Sequence, residues 1–356
     1  MINVIITATA NILVNVRLLM NEEYKASKIE GDFNFILMIM CIVNIIVMNI
    51  YCVIYHESLQ SMIFTIIYSF LYTIQTYLTV GYRINLNYKK NLYNSIIMTL
   101  GYLLGILVFR VINYWEIIYI LGMIFSIGYQ LCTTKLISEP YRITKLFPKT
   151  LNKTVVLIIT SLSISLMTYM DRLILYPILG GNDVAIYYVA SLYGKLVCMI
   201  LTPISSVLLS YYSKMNSIEI REFRLINLIV IFTSIIIFIM GIFIAKPIIS
   251  IIYPGLIDEA IRYLNLANLA AIINGISTIV QPVLLRFCNM KWQLLIQFIH
   301  ISIYIIGIIT IVLNLGLGGF CMVALVANFA RLLSMFIIGE ISIQKQQKKE
   351  GELWKK

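Results

Sequence analysis

Eleven apolar runs dominate this chain, each close to the ~20 residues that a helix needs to cross ~30 Å of hydrocarbon. They cover residues 3–20, 34–55, 60–81, 92–113, 117–135, 153–178, 185–210, 225–253, 262–286, 292–315 and 317–340. Runs of this length and spacing predict an all-α fold, a polytopic membrane helical bundle of eleven spans. The orientation follows from the loops. With the carboxyl tail in the cytoplasm, alternate loops carry 21 of the 27 lysines and arginines and the opposite loops only Arg110, Arg172 and Arg262. Lys195, Lys246 and Arg331 remain inside spans. The bias toward one side predicts an inner-membrane protein with its carboxyl terminus inside and its amino terminus outside.

Composition agrees and narrows the function. Hydrophobic residues make up 60% of the chain and charged ones 12%, about half the charged share of a soluble domain. The longest link between spans, residues 136–152, is too short to fold a catalytic module, so function resides within or between helices. The net charge of +11 is explained by membrane topology and by attraction of basic loops to anionic membrane lipids, and no nucleic-acid partner is expected. The six cysteines are scattered without metal-ligand spacing and read as packing residues. Neither HExxH, a phosphate-cradling glycine loop nor a Ser/His/Asp set occurs, so the chain reads as a non-enzyme without cofactor, metal site or catalytic residues.

The link 136–152 divides the chain into an N-terminal half bundle, 1–135, with five spans, and a C-terminal half bundle, 153–344, with six, followed by a basic tail, 345–356. The order of features after residue 200 recurs about 200 residues earlier: Ile251-Ile252-Tyr253-Pro254 matches Val53-Ile54-Tyr55-His56, and Met290-Lys291-Trp292 matches Lys89-Lys90-Asn91. On that alignment span one pairs with span seven, and span six has no partner. The two halves then read as parallel six-helix-type repeats, the first lacking its opening helix.

Tyr169-Met170-Asp171-Arg172, Leu179-Gly180-Gly181, Ile186-Tyr187-Tyr188, Ala190 and Pro203, in that spacing, carry a resemblance. The pattern is similar to the polysaccharide-biosynthesis flippases, lipid-linked oligosaccharide exporters of the superfamily that also contains multidrug and toxin extruders. It covers the chain in helix order and residues 165–215 at motif level. The resemblance implies two halves forming a V around a central cavity, alternating access, and undecaprenyl-diphosphate-linked oligosaccharide as the substrate. The absent first helix is the departure from the family pattern, and it bears on activity because that helix lines the cavity in relatives.

An anionic lipid head needs basic groups inside a wet cavity, and intramembrane charges are the place to look. Lys195 lies some ten residues into span seven, ~15 Å deep. A charge there costs ~3 kcal/mol, so it either faces substrate phosphate or pairs with a counter-charge such as Asp171. Asp171 and Arg172 sit near the outer end of span six: Asp171 is a proton or cation (H+ or Na+) site or the partner of Lys195, and the alternative for both is gating or topology. Arg17 ends span one with Asn11 and Asn15 on its more buried side, either as cavity residues or as a positive-inside anchor. Arg331 is expected to reach the cytoplasm as an anchor. His300, with Gln297 on the same face, is expected to hydrogen-bond a neighbouring helix. Span nine, with Asn265, Asn268, Gly275 and Gln281-Pro282, reads as a hinge or as a site of interhelical hydrogen bonds. Gly101 and Gly105 predict close helix packing.

Three functions compete on this reading. The first is the flippase. The second is a cation-coupled multidrug exporter of the same superfamily, which should show acidic cavity residues. The third is a membrane polysaccharide polymerase or glycosyltransferase, which should hold its catalytic groups on a large external loop.

Overall fold

A computed structural model describes the backbone of residues 2–54, 58–168 and 175–353, with side chains described from residue 11 onward except for 54, 162–168 and 349–353. Every element among the described residues is helical, as expected where backbone polar groups have to be paired within their own segment. The helices are α1 (Ile2–Ser27), α2 (Asp32–Ile54), α3 (Leu59–Leu78), α4 (Val80–Ile84), α5 (Tyr88–Ile112), α6 (Glu116–Thr133), α7 (Phe147–Thr168), α8 (Tyr176–Leu179), α9 (Gly181–Ala190), α10 (Leu192–Tyr212), α11 (Ile220–Ile252), α12 (Ile257–Ala260), α13 (Leu264–Phe287), α14 (Met290–Gly307) and α15 (Leu313–Leu353). The chain packs as two compact units, Met1–Leu162 and Ser163–Lys356.

Eight stretches of the described residues are long and apolar enough to cross a membrane. The last, Met290–Lys348, is 59 residues long, far more than one crossing requires. It folds back on itself. A π-type turn spans Ile308–Val312, and Gly316 has φ +57° and ψ −137° inside α15, a left-handed backbone that glycine adopts without a Cβ penalty. His300 meets Asn328, Tyr304 meets Phe320 and Gly307 faces Val323, so α14 and α15 form an antiparallel hairpin centred near Gly316. Spans ten and eleven are thus separated at the residue that the apolar pattern leaves between them. Three of the eleven expected runs, 3–20, 34–55 and 153–178, include residues whose side chains lie outside the described set. They coincide in part with α1, α2 and α7.

In the first unit α5 and α6 approach at backbone distance. A Cβ at Gly101 would lie 2.7 Å from the Gly122 Cα, and one at Gly105 would lie 2.6 Å from the Ile118 Cα. The glycine pair is therefore a packing surface, as its spacing predicts. Asn87 caps α5 by accepting from the Lys90 N–H at 3.2 Å, and Ser58 caps α3 through the Ser61 N–H at 3.2 Å.

In the second unit α13 is the central helix. Its apolar stretch is 67% buried against 17% for α11, whose Leu228, Phe232, Ile235, Ile239 and Phe243 point outward as a lipid-facing surface would. Of the polar residues named in span nine, Asn268 makes an interhelical bond, its side-chain oxygen accepting from the Gly194 N–H at 2.9 Å, and α13 runs through Pro282 as one helix. The expected single span 185–210 differs, because it is two helices that meet at Ser191. The Ser191 hydroxyl donates back to the carbonyls of Tyr187 at 2.8 Å and Tyr188 at 3.2 Å, a back-bond that favours a local break.

Candidate functional site

At the basic end of the first unit, the connection after α6 is tied down to α1 and α2. The Asn34 amide of α2 donates to the carbonyls of Leu136 at 3.1 Å, Ile137 at 3.4 Å and Glu139 at 2.8 Å. Asp32, fully buried at the start of α2, accepts from the Thr144 N–H at 2.7 Å and the Tyr24 hydroxyl at 2.6 Å, as well as from the Thr144 hydroxyl. Burial raises the Tyr24 pKa, and the neighbouring Asp32 carboxylate adds to the rise, so this phenol stays a donor. The link that reads in sequence as a boundary is thus, over residues 136–144, a packed part of the first unit.

Arg17 lies inside this arrangement, 7% exposed. Its two terminal nitrogens donate to the Glu139 carboxylate at 3.0 and 2.5 Å, a two-pronged pair that fixes the guanidinium plane, and the guanidinium stacks 4.4 Å from the Phe33 ring centre. Beside it opens a cavity of about 770 Å³ whose wall includes Arg17, Lys25, Lys28, Lys90, Lys135 and Glu139. The remaining charge in the wall is Glu30, and Asn21, Asn85, Asn87, Thr133 and Thr134 add neutral hydrogen-bonding groups, so the cavity carries an excess of three positive charges. Asn15 is half-buried on α1 and is not part of this wall.

In the second unit Lys195 stands one turn past the Ser191 break. Its ammonium lies 4.5 Å from the Tyr188 ring centre and 5.3 Å from that of Tyr187, within cation–π range. Both rings sit two turns back on the same face, the direction in which helical side chains lean. They are held in turn, Tyr187 edge-on to Phe320 at 4.9 Å and Tyr188 edge-on to Tyr253 at 6.5 Å. Asp171 and Arg172 lie outside the described residues, so the pairing of Asp171 with Lys195 is left open.

Arg331 departs from its expected anchor role: it is 2% exposed and donates to the Asn274 side-chain oxygen at 2.9 Å. His300 makes the expected interhelical bond, to Asn328 at 3.0 Å. Glu139 and Asp32 are the structural residues that sequence reasoning missed. A count of basic residues sets the orientation but passes over the few acids in the basic loops, and those acids are what fold the loops.

No known family profile and no curated protein matches this sequence. Solved structures do. An outward-facing multidrug resistance MATE family transporter of the MOP superfamily is 11% identical, with a TM-score of 0.69 over 98% of this chain and 86% of its own. The Vibrio cholerae MATE transporter VcmN in its bent form is 14% identical, with a TM-score of 0.68 over 97% and 86%. The MATE transporter ClbM in complex with Rb+ is 14% identical, with a TM-score of 0.70 over 94% and 82%. At these identities the likeness is one of fold: the chain is a multi-pass membrane helical bundle with the architecture of MATE transporters.

Proposed function

We propose that this chain is a cation-coupled exporter of organic solutes, working by alternating access between its two halves in the cytoplasmic membrane with the carboxyl terminus inside. The observation that carries this reading is the likeness, over nearly the whole chain, to transporters of the multidrug kind, one of them in complex with Rb+. The coupling ion on this reading is H+ or Na+, and Asp171 remains a candidate to carry it.

One observation favours a second reading. The basic cavity beside Arg17, with an excess of positive charge, suits an anionic head better than a cationic drug, and Lys195 adds a cation to the second unit. A lipid-linked oligosaccharide is the substrate that this charge pattern and the motif resemblance have in common. On that reading Lys195 meets the diphosphate, and Arg17, Arg172 and Asn15 stay candidates for substrate contact.

Proteoliposomes separate the two. Under an imposed proton or sodium gradient, the exporter reading expects gradient-driven movement of ethidium and no movement of a fluorescent undecaprenyl-diphosphate sugar. The reverse result establishes the flippase. Movement of neither probe under either gradient overturns both.

A further inference from the structure

Six buried side-chain atoms without a hydrogen-bond partner in the protein concentrate on facing surfaces of α14 and α15. They are the Nε and Nη2 of Arg331, both amide atoms of Gln293, the Oε1 of Gln297 and the Nδ1 of His300. Gln293, Gln297 and His300 recur at helical spacing and so share one face of α14. Asn328 and Arg331, three residues apart, share one face of α15. The hairpin brings these faces together: His300 is level with Asn328, and the antiparallel register then sets Gln297 level with Arg331. The third side is α13, where the Ala270 carbonyl accepts from the Asn328 amide at 2.9 Å and Asn274 accepts from Arg331.

The charge balance makes this cluster more than a set of loose amides. A guanidinium does not give up its proton in a protein, so Arg331 is a permanent cation that is 2% exposed. Its protein partner is a neutral amide, and no carboxylate of the described residues lies within ion-pair distance. A buried charge without a counter-charge is strongly unfavourable. An amide partner compensates the hydrogen bond on one nitrogen but not the charge. The Asn328 amide donates to Ala270, so its oxygen faces His300 and the Nε2 of that imidazole is the donor. The Nδ1 is then an acceptor and supplies no negative charge.

We infer that Arg331, between α13, α14 and α15 and beside Gln297 and His300, binds one small monovalent anion of the chloride class. The Nε and Nη2 edge of the guanidinium supplies the donors, while Gln297 Oε1 and His300 Nδ1 accept from water in the anion's first shell. A multivalent anion would overcompensate a single guanidinium and carry a larger desolvation cost. The site lies wholly within the second unit and does not depend on what the chain transports.

Purified protein in sodium chloride, compared with sodium gluconate at equal ionic strength, tests this. Equilibrium binding of radioactive chloride should saturate at about one ion per chain, and the melting temperature should rise over the same concentration range. Arg331→Gln should lose both effects. Arg331→Lys keeps the charge but loses the Nε and Nη2 edge, and should weaken chloride binding about tenfold, the worth of one hydrogen bond to a charged group; it serves if Arg331→Gln does not fold. The inference is overturned if chloride and gluconate give the same melting temperature with no saturable binding, which would mean that interior water alone satisfies the cluster. Wild-type chloride affinity in either variant overturns it as well, since the ion would then sit elsewhere.

Discussion

Arg17 and Arg331 are both more than nine-tenths buried, yet the protein treats them in opposite ways. Arg17 has a carboxylate on two nitrogens and an aromatic ring against its face. Arg331 has one amide oxygen. The difference follows from position along the chain. Arg17 ends an apolar run, where the connection after α6 can fold back and bring Glu139 to it. Arg331 sits inside a helix that packs only against other helices, and a carboxylate there would itself have to be buried. For these two buried arginines, the loop within reach supplies a counter-charge and the surrounding helices supply a dipole.

The largest expected effect comes from breaking the complete pair. Glu139→Ala leaves Arg17 buried and uncompensated and should destabilise the first unit by ~3–5 kcal/mol, read as a lower melting temperature and lower membrane abundance. Replacing both partners, Arg17→Met with Glu139→Leu, should recover most of that loss, because paired burial adds little net stability over apolar packing. If the double variant is as unstable as the single one, the pair acts through its hydrogen bonds to the loop and not through charge balance.

The incomplete site predicts the opposite sign. In gluconate buffer, Arg331→Met removes an uncompensated charge and should be neutral or stabilising by ~1–4 kcal/mol, at the expense of the Asn274 bond. A large destabilisation in the same buffer would mean that the second unit balances this charge as fully as the first balances Arg17.

How far the sequence reveals these features depends on whether they are periodic. Apolar runs placed the helices because hydrocarbon thickness fixes their length, and the gap between runs at Gly316 marks the turn of the last hairpin. Gly101 and Gly105 announced a close helix contact through their spacing, and the structure supplies α6 as the partner. The Ser191 break was hidden, since one serine in an apolar stretch does not interrupt the hydropathy. The pairing of Arg17 with Glu139 was hidden for another reason: 122 residues separate the partners, and no local pattern encodes a contact of that range. The cluster around Arg331 was only half visible. His300 and Gln297 showed their shared face, but Arg331 read as an anchor because its distance from the span end permits snorkelling, and only packing shows that it turns inward.

Lys195 is intermediate between the two arginines, half-buried and facing rings. A cation–π contact of this kind is worth about 0.5–2 kcal/mol, so Lys195→Ala and Tyr188→Leu should each be mild, and their double-mutant cycle should show a coupling of that order in melting experiments. Zero coupling would mean that the ammonium is held by its other interactions and that the rings serve only packing.

The smallest effect belongs to the exposed counterpart of these buried charges. Glu23 on α1 meets Lys149 at 2.5 Å and Lys153 at 3.4 Å, both from the start of α7. Burial raises its pKa, but the hydrogen bond from Lys149 and the charges of Lys153 and Lys149 outweigh it, and the carboxyl is held below its ordinary 4.5. A group whose folded pKa is depressed adds stability above its unfolded pKa and loses it as pH falls through the folded value. The advantage of wild type over Glu23→Gln should therefore be present at neutral pH, shrink below about pH 4.5 and vanish in stronger acid. Solvent and salt screen such a pair, so the difference should stay below about 1 kcal/mol and diminish in 1 M salt, whereas the cost of Glu139→Ala should not. A Glu23→Gln difference constant from neutral to acid pH would mean that the glutamate acts through packing, and the contrast between loop-balanced and helix-balanced charge would then rest on buried groups alone.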